Sequence, residues 1–310
     1  MRTRHILVTM VIANCMLAIC LLAQQPSPDP LVRENATQKI APHTYLIPDF
    51  NTSLVPNVGI IVGSRATLVI DTGMGTRNGQ AVLRETRKIS KTPALYVAFT
   101  HFHPEHDLGA QAFPSDAKVI RSADEDKDIA EFGLDLANQF ASRSAVNAEL
   151  LKGVTFRKTD VSFAREYTLD LGGVHVQLTA VGPTHTRGDT VFFVTEDRVL
   201  FSGDVAMKAF PAFASPYSSI PAWLNALDRL DAFKPALIVP SHGATGDAAM
   251  VARYREYFQT VQKRVGELKA AGKSADETAM TVQKEMQAKY PDMAQPARVA
   301  QAAQAAYKDR

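Results

Sequence analysis

Residues 100–107 read THFHPEHD and place three histidines, a glutamate and an aspartate within eight positions. They come directly after the apolar run 94–99, which is predicted to be a buried strand. In an extended loop His101 and His103 point to the same side, because side chains two positions apart do so, and Pro104 excludes a regular helix through the middle. Imidazoles and carboxylates are zinc ligands, so the density of these groups favours a metal site over ordinary packing.

Four more polar side chains stand where other predicted strands end. Each lies next to glycine, proline or a small residue, and each alone would indicate only a turn at the end of a strand. They are Asp71 in IDTG, His185 in GPTHTRGD, Asp204 in SGD and His242 in SHG. Together with residues 100–107 they form a constellation that points to one site built from several loops.

The surrounding pattern predicts an α/β fold. Strands and helices follow one another in short units, and polar residues gather at the ends of the strands. The predicted strands are 55–62, 66–70, 94–99, 174–181, 190–195, 199–201 and 236–239, and the predicted helices are 81–89, 122–151 and 220–233. These features predict a layered sandwich with a site at one edge of the sheets.

The chain after Asp247 is nearly all helical in pattern. Gly266, Gly272 and Pro291 are expected to divide this part into three helices, one of which starts at a capping box on Ser274. The predicted domain organisation is a linker at 24–42, a main domain at 43–250 and a C-terminal helical extension at 251–310.

Residues 1–23 have the layout of a secretory signal peptide. Arg2 and Arg4 precede an apolar run at 6–23, and a polar, proline-rich stretch follows. The chain is therefore expected to be secreted or periplasmic, with an uncleaved N-terminal membrane anchor as the alternative. No other run of about eighteen apolar residues follows, so no membrane contact is expected once the segment is removed.

Removal of that segment changes the composition that bears on function. Both cysteines, Cys15 and Cys20, would leave, so the mature chain would have no disulfide and no thiolate ligand. Basic and acidic side chains would then be equal in number, at 32 each. A neutral chain lacks the basic surface that nucleic acid requires, so a small-molecule substrate is expected, and the oligomeric state stays open.

Between about Tyr45 and Met250, these motifs and their order along the chain resemble those of the metallo-β-lactamase superfamily. The resemblance implies a four-layer αβ/βα sandwich with a dinuclear centre at one edge, with two zinc ions as the expected cofactor and iron or manganese as alternatives. Asp71 corresponds to the acid that orients a ligand histidine. The metal ligands implied are His101, His103 and His185 for the first ion, Glu105, His106 and His242 for the second, and Asp204 as the bridge.

Glu105 departs from the family pattern, which usually has aspartate at this position. Its carboxylate reaches about 1 Å further, a large offset beside Zn–O bonds of about 2.0–2.2 Å. Either the loop shifts to keep a direct bond, or Glu105 leaves the metal and acts only as a base. In the implied mechanism Glu105 takes the proton of the attacking water and passes it to the leaving group, while Asp204 holds both ions.

The expected function is an exported, metal-dependent hydrolase of an ester, thioester, lactone or amide-type bond. Asp204 stands where the cysteine-ligated β-lactamases have their thiolate, which excludes that group. Lactamases that carry a histidine at the position of His106 usually lack a bridging acid, so a β-lactamase is the alternative here. A non-hydrolytic metal-binding or redox module on the same fold is the alternative of another class, and bound iron would indicate it.

Two segments near the motifs each have two interpretations. The loop 206–219, with Phe210, Phe213 and Tyr217, forms either an apolar lip over the metals or a loop packed on the sandwich. The helical segment 122–151 is either a lid over the site or a pair of helices that cover the core.

Two features of charge and composition also stay open. Lys208 and Arg187 either hold a substrate carboxylate or are solvated surface charges. The alanine-rich spacing at 297–306 is suited to dimerisation and to packing within the chain.

Overall fold

Two β-sheets lie face to face in the structure, a computed structural model that describes residues 28–209, 211–291 and 297–309. The predicted signal segment 1–23 and Phe210 lie outside the described residues. Strands β1 to β4 pair antiparallel, and β4 to β7 pair parallel. The seven strands of the first sheet, in spatial order, are β1 Gln38–Lys39, β2 Thr44–Ile47, β3 Val58–Val62, β4 Ala66–Ile70, β5 Ala94–Ala98, β6 Lys118–Ser122 and β7 Val161–Phe163.

The second sheet has five strands and is antiparallel apart from its last pair. Its last strand returns after a helix and therefore pairs parallel with its neighbour. In spatial order, the strands are β12 Leu237–Pro240, β11 Val199–Gly203, β10 Thr190–Val194, β9 His175–Ala180 and β8 Glu166–Asp170.

Nine α-helices lie within the described residues, together with a 3₁₀ segment at Leu108–Ala112 and a π-helical turn at Ile129–Gly133. The α-helices are α1 Gly75–Ile89, α2 Pro104–Asp107, α3 Ala123–Asp128, α4 Leu134–Ser142, α5 Ala145–Leu150, α6 Ile220–Ala232, α7 Ala248–Ala270, α8 Ala275–Lys289 and α9 Ala297–Lys308. None of these helices is long and apolar enough to cross a membrane.

Alternation along the strands divides the apolar side chains between layers. In β4, Leu68 and Ile70 are buried against Phe192 and Phe201 of the opposite sheet, and this cluster fills the space between the sheets. Val69, between them in sequence, faces the other way into a second cluster. Side chains of a strand alternate between its two faces, so each sheet is buried on both sides.

Helices cover the outer faces of both sheets. Val82 of α1 packs with Val69 on the first sheet. Trp223 of α6 and Phe258 of α7 pack with Leu200 on the second sheet. The order of layers is helix, sheet, sheet, helix, and this confirms the predicted αβ/βα sandwich with its C-terminal helices.

The segment 24–42, which was expected to be a linker, packs on the main domain over most of its described part. Val32 is buried among the residues between the first sheet and α1. Glu34 forms an ion pair with Arg84 on α1, and β1 adds the edge strand of the first sheet. The polar and proline-rich composition suggested a loose connection, but long-range contacts to α1 order it.

The C-terminal helices share one core with the second sheet. Helix α7 runs without a break through Gly266, so the prediction that this glycine ends a helix is wrong. Glycine costs about 1 kcal/mol in a helix interior, and the buried Val265 and Leu268 on either side offset this cost. The capping box of Ser274 and Glu277 is confirmed at the start of α8.

The remaining helical segments also pack within the chain. Ala302, Ala303 and Ala306 of α9 are buried in the same core as α7, so the alanine-rich stripe is occupied by intramolecular packing. In the segment 122–151, Phe140 and Leu150 are buried and form a cluster with residues beside the histidine-rich loop. This segment therefore covers a small core of its own.

A buried ion pair anchors the helix that carries the histidine-rich loop. Arg121 of β6 donates to both carboxylate oxygens of Asp107, with Nη2 at 2.9 Å from Oδ1 and Nε at 2.9 Å from Oδ2. The face of its guanidinium covers the ring of Phe99. Bidentate pairs of this kind add geometric specificity, so α2 is held in one position against the first sheet.

The packing of α8 generates a matched stability prediction. Met286→Ala is expected to lower the free energy of unfolding by about 2–5 kcal/mol, because Met286 is only 4% exposed and its removal leaves a cavity. Met280→Ala, the same change in the same helix at a site that is 65% exposed, is expected to stay within about 0.5 kcal/mol. Denaturant unfolding measures both, and equal effects would contradict the packing described.

Candidate metal centre

The ends of several strands bring the predicted site residues together at one edge of the sandwich. Seven side chains form three groups in which the ligand atoms lie within 4.8 Å of one another. Six of the seven are buried, and His242 is partly exposed. The groups are His101 with His103 and His185, His101 with His106 and Asp204, and Glu105 with His106 and His242.

The first group consists of three imidazoles that face a common point. The ring centroid of His101 lies 4.5 Å from that of His103 and 4.8 Å from that of His185. Nε2 of His185 and Nδ1 of His103 are 3.4 Å apart. Two nitrogens converging in this way can share one cation as ligands.

The group of Glu105, His106 and His242 contains the glutamate that departs from the family pattern. Oε1 of Glu105 lies 4.0 Å from Nε2 of His106, and the ring of His242 is 5.3 Å from that of His106. Glu105 reaches the group because the chain turns into α2 directly before it. Pro104 occupies the first turn of α2, where a missing N–H costs nothing, rather than preventing helix formation in this stretch as expected.

Asp204 belongs to the group that shares a histidine with each of the other two. Its Oδ2 is 3.5 Å from Nε2 of His185, and its Oδ1 is 3.9 Å from Nε2 of His242. The two carboxylate oxygens thus face one imidazole of each group. A carboxylate placed in this way could contact a cation on either side.

The outer nitrogens of three histidines are held by oxygen acceptors. Nδ1 of His106 lies 2.8 Å from Oδ2 of Asp71, Nδ1 of His185 lies 2.7 Å from the carbonyl of Ala212, and Nδ1 of His242 lies 2.9 Å from the carbonyl of Val55. These acceptors require the proton on Nδ1, which leaves the Nε2 lone pair of each ring directed inward.

Asp71 adopts a backbone conformation that is rare for a residue with a side chain. Its φ is +62°, in the left-handed region, directly after β4. The carboxylate accepts a hydrogen bond from the backbone N–H of Thr100 at 2.8 Å and one from its hydroxyl. The strain of this conformation is offset by these bonds, and it directs Asp71 toward His106.

Sequence reasoning missed two residues that shape the ligand loops. Buried Asp189 accepts hydrogen bonds from the side chain of Thr184 and from the backbone N–H of Thr186, which flank His185. Asn57 donates to the carbonyls of Pro240 and Gly243 on either side of the His242 turn. Asp189 stood in the GPTHTRGD motif, but Asn57 is distant in sequence, and nothing local signalled its role.

Four buried ligand atoms have no hydrogen-bond partner within the part of the chain that the structure describes. They are Nε2 of His101, Nε2 of His106, Oε2 of Glu105 and Oδ1 of Asp204. Buried polar groups are nearly always paired, and an ion is one of the explanations for such exceptions. All four lie in the groups described above, so the residues fit two bound cations.

The pKa values follow the same geometry. Burial lowers the pKa of His101 and His103, and the neighbouring imidazoles lower it further. Burial also opposes a charge on His106, but Asp71 outweighs it and raises the pKa of His106 to about 9. Burial disfavours ionised Asp204, yet the surrounding histidines hold its pKa well below its usual range. Near pH 7 the protein's own groups therefore include neutral imidazoles at His101 and His103, a protonated His106 beside Asp71 and an anionic Asp204.

The loop 206–219 joins the rest of the fold in two ways. Phe213 packs on Trp223, with ring centroids 5.2 Å apart, so this part of the loop lies on the sandwich. The hydroxyl of Tyr217 donates to Glu131 at 2.9 Å. Arg187 pairs with Glu131 as well as with Asp128, so its guanidinium is engaged by the protein.

Comparison with known proteins places these observations in a family. The model of the metallo-beta-lactamase superfamily matches residues 52–242, more than half of the chain. A linear primary-alkylsulfatase of Pseudomonas sp. (strain ATCC 19151) is 25% identical over an alignment of 227 residues that covers 59% of this chain and 40% of that protein.

Solved structures share the fold. The inverting sec-alkylsulfatase Pisa1 of Pseudomonas sp. has a TM-score of 0.70 at 16% identity, over 88% of this chain and 50% of its own. A metallo-beta-lactamase of Pontibacter korlensis has a TM-score of 0.53 at 21% identity, over 71% of this chain and 96% of its own. The chain spans half or less of the length of both alkylsulfatases. From its sequence, its layers and its matched region, the chain belongs to the metallo-beta-lactamase superfamily.

Proposed function

We propose that this chain is an exported hydrolase that binds two divalent ions, with zinc as the expected metal. The observation that carries the proposal is the set of four unpartnered ligand atoms, buried at the meeting point of the three ligand groups. Imidazole and carboxylate ligands suit zinc, and also iron or manganese.

The proposed ligand sets follow the groups. His101, His103 and His185 would hold the first ion. Glu105, His106 and His242 would hold the second ion, because their ligand atoms lie within 4.8 Å of one another. Asp204 would contact both, since its oxygens face different groups. Two such ions would lower the pKa of a coordinated water and polarise an oxygen of the substrate.

The protein's own residues would move the proton. Oε2 of Glu105 has no hydrogen-bond partner among the described residues, and Glu105 is only 5% exposed, so this oxygen is placed to accept a proton from the attacking water. It would then release this proton to the leaving group. The nearby hydroxyl of Ser202 donates to the carbonyl of Ala206 at 2.9 Å, which supports a mechanism without a serine nucleophile.

The proposed substrate is a small molecule with an ester bond, and a sulfate ester is the first candidate. The 25% identity to the linear primary-alkylsulfatase supports this choice, and the fold of the sec-alkylsulfatase aligns over 88% of this chain. The second candidate is a β-lactam, since lactamases of this fold align over nearly their whole length. A redox role stays as the alternative of another class.

The metal assignment predicts the effect of removing one ligand. His185→Ala is expected to reduce bound metal from two ions to about one per chain and to lower the rate of hydrolysis more than about 100-fold, because removal of even an outer partner of a ligand costs 10–100-fold. Metal analysis of the purified protein and a rate measurement test this.

The matched control is His175→Ala, which removes an exposed histidine of β9 that pairs with Glu196 away from the centre. Glu105→Asp is the second variant. It is expected to weaken binding of one ion, because the shorter side chain would place its carboxylate oxygen further from Nε2 of His106, the neighbouring ligand atom. Full metal content and rate in His185→Ala would contradict the proposal.

The substrate proposal predicts an order of rates. An aryl sulfate is expected to be hydrolysed faster than an aryl phosphate, a lactone, a thioester or nitrocefin by the zinc-loaded protein. Fastest turnover of nitrocefin would favour the lactamase alternative. A coloured protein containing iron and no turnover of the panel would favour the redox alternative.

Export is proposed from the layout of residues 1–23. Expression of the full chain in a Gram-negative host is expected to yield protein in the periplasm with an N-terminus near residue 24. N-terminal sequencing of that fraction measures this. Intact chain held in the membrane fraction would instead support the N-terminal anchor.

A further inference from the structure

We propose that Arg143 binds an anionic group of the substrate beside the first metal position and so selects negatively charged esters. This inference rests on the proposed hydrolase function and adds a specificity-determining residue to it.

Arg143 contacts an aromatic ring that lies beside one of the candidate ligands. Its guanidinium carbon lies 3.6 Å from the centroid of Phe140, at the end of α4. The ring of Phe140 is buried, and its centroid lies 6.2 Å from that of His103. The guanidinium of Arg143 therefore contacts the same ring that lies beside His103.

Two other arginines near the site are engaged by protein carboxylates. Arg187 forms ion pairs with Asp128 and Glu131, and Arg121 is bound by Asp107. Arg143 is exposed, and within the described ranges its guanidinium has neither an ion pair nor a hydrogen bond. Arg187, considered above as a substrate ligand, is thus replaced in this role by Arg143.

The backbone around Arg143 is fixed. Its N–H donates to the carbonyl of Phe140 at 3.2 Å, and that carbonyl also accepts from the side chain of Asn147 at 3.0 Å. The next residue, Ser144, caps α5 by accepting from the N–H of Asn147 at 3.1 Å. A junction of two helices therefore holds the arginine, and little ordering is needed when an anion binds.

The chemistry of this arrangement favours an oxyanion. One face of the planar guanidinium covers Phe140, while its N–H groups along the edges stay available. A carboxylate or sulfate accepts two parallel N–H bonds from such a fork. An uncharged substrate would gain nothing from this position, so the effect is selectivity for charge.

The test uses two substrates of one shape. They are an aryl acetate with a ring carboxylate and the same ester with a carboxamide. Arg143→Ala is expected to lower kcat/KM for the carboxylate ester about ten-fold, through KM, because a charged hydrogen bond made in both ground and transition states is lost. The carboxamide ester should change by less than about two-fold. Arg143→Lys should recover part of the loss, since lysine keeps the charge but not the fork.

The matched control is Arg87→Ala, an exposed arginine in the last turn of α1. Equal losses on both esters, or no loss on either, would overturn the role of Arg143. Calorimetric titration of the zinc-loaded protein with sodium sulfate gives a second readout that needs no turnover, and Arg143→Ala should weaken that binding. If the wild type hydrolyses neither of these esters nor any substrate of the panel described under the proposed function, the proposed hydrolase function is wrong. Unchanged sulfate binding by the Arg143→Ala protein would overturn only the role of Arg143.

Discussion

The structure depends on one constraint: seven metal-ligating side chains converge at one edge of the sandwich, and four of their polar atoms are buried without a protein partner. Each such atom costs about 1–3 kcal/mol when it is removed from water and left unpaired. Like lone pairs directed at one point also repel one another. Bound cations offset both costs, so the edge of the fold is suited to a metal-loaded state. The sheets, the anchored α2 and the short connections supply the rigidity that keeps these atoms together.

Residues outside the ligand set determine where the imidazoles point. Asp71, a strained residue after β4, holds His106, and backbone carbonyls hold His185 and His242. Asp189 and Asn57 in turn hold the loops that carry two of these histidines. Three of the candidate ligands are thus positioned by hydrogen bonds to elements of the scaffold, and such bonds help a metal site to keep a defined geometry.

Seven of the twelve strands in the described residues, and the polar residues at their ends, could be predicted because both are local patterns, while β1, β2, β6, β7 and β8 were not among the predicted strands. THFHPEHD follows an apolar run, and each later ligand stands beside its own turn. The role of Asn57 could not, since it arises from contacts between segments far apart in sequence. The packing of Val32 on α1 and the course of α7 through Gly266 were missed for a related reason: tertiary burial outweighs the local preference of a polar, proline-rich stretch or of one glycine. The distance from the Glu105 carboxylate to His106 likewise depends on where α2 starts.

The central claim is that two cations share Asp204 within this set of ligands. Anomalous diffraction at the zinc edge from crystals of the zinc-loaded protein tests it most directly. We expect two peaks, one among His101, His103 and His185 and one beside His106 and His242, with an oxygen of Asp204 about 2.0–2.2 Å from each. A single peak, or two peaks with Asp204 bound to neither, would contradict it.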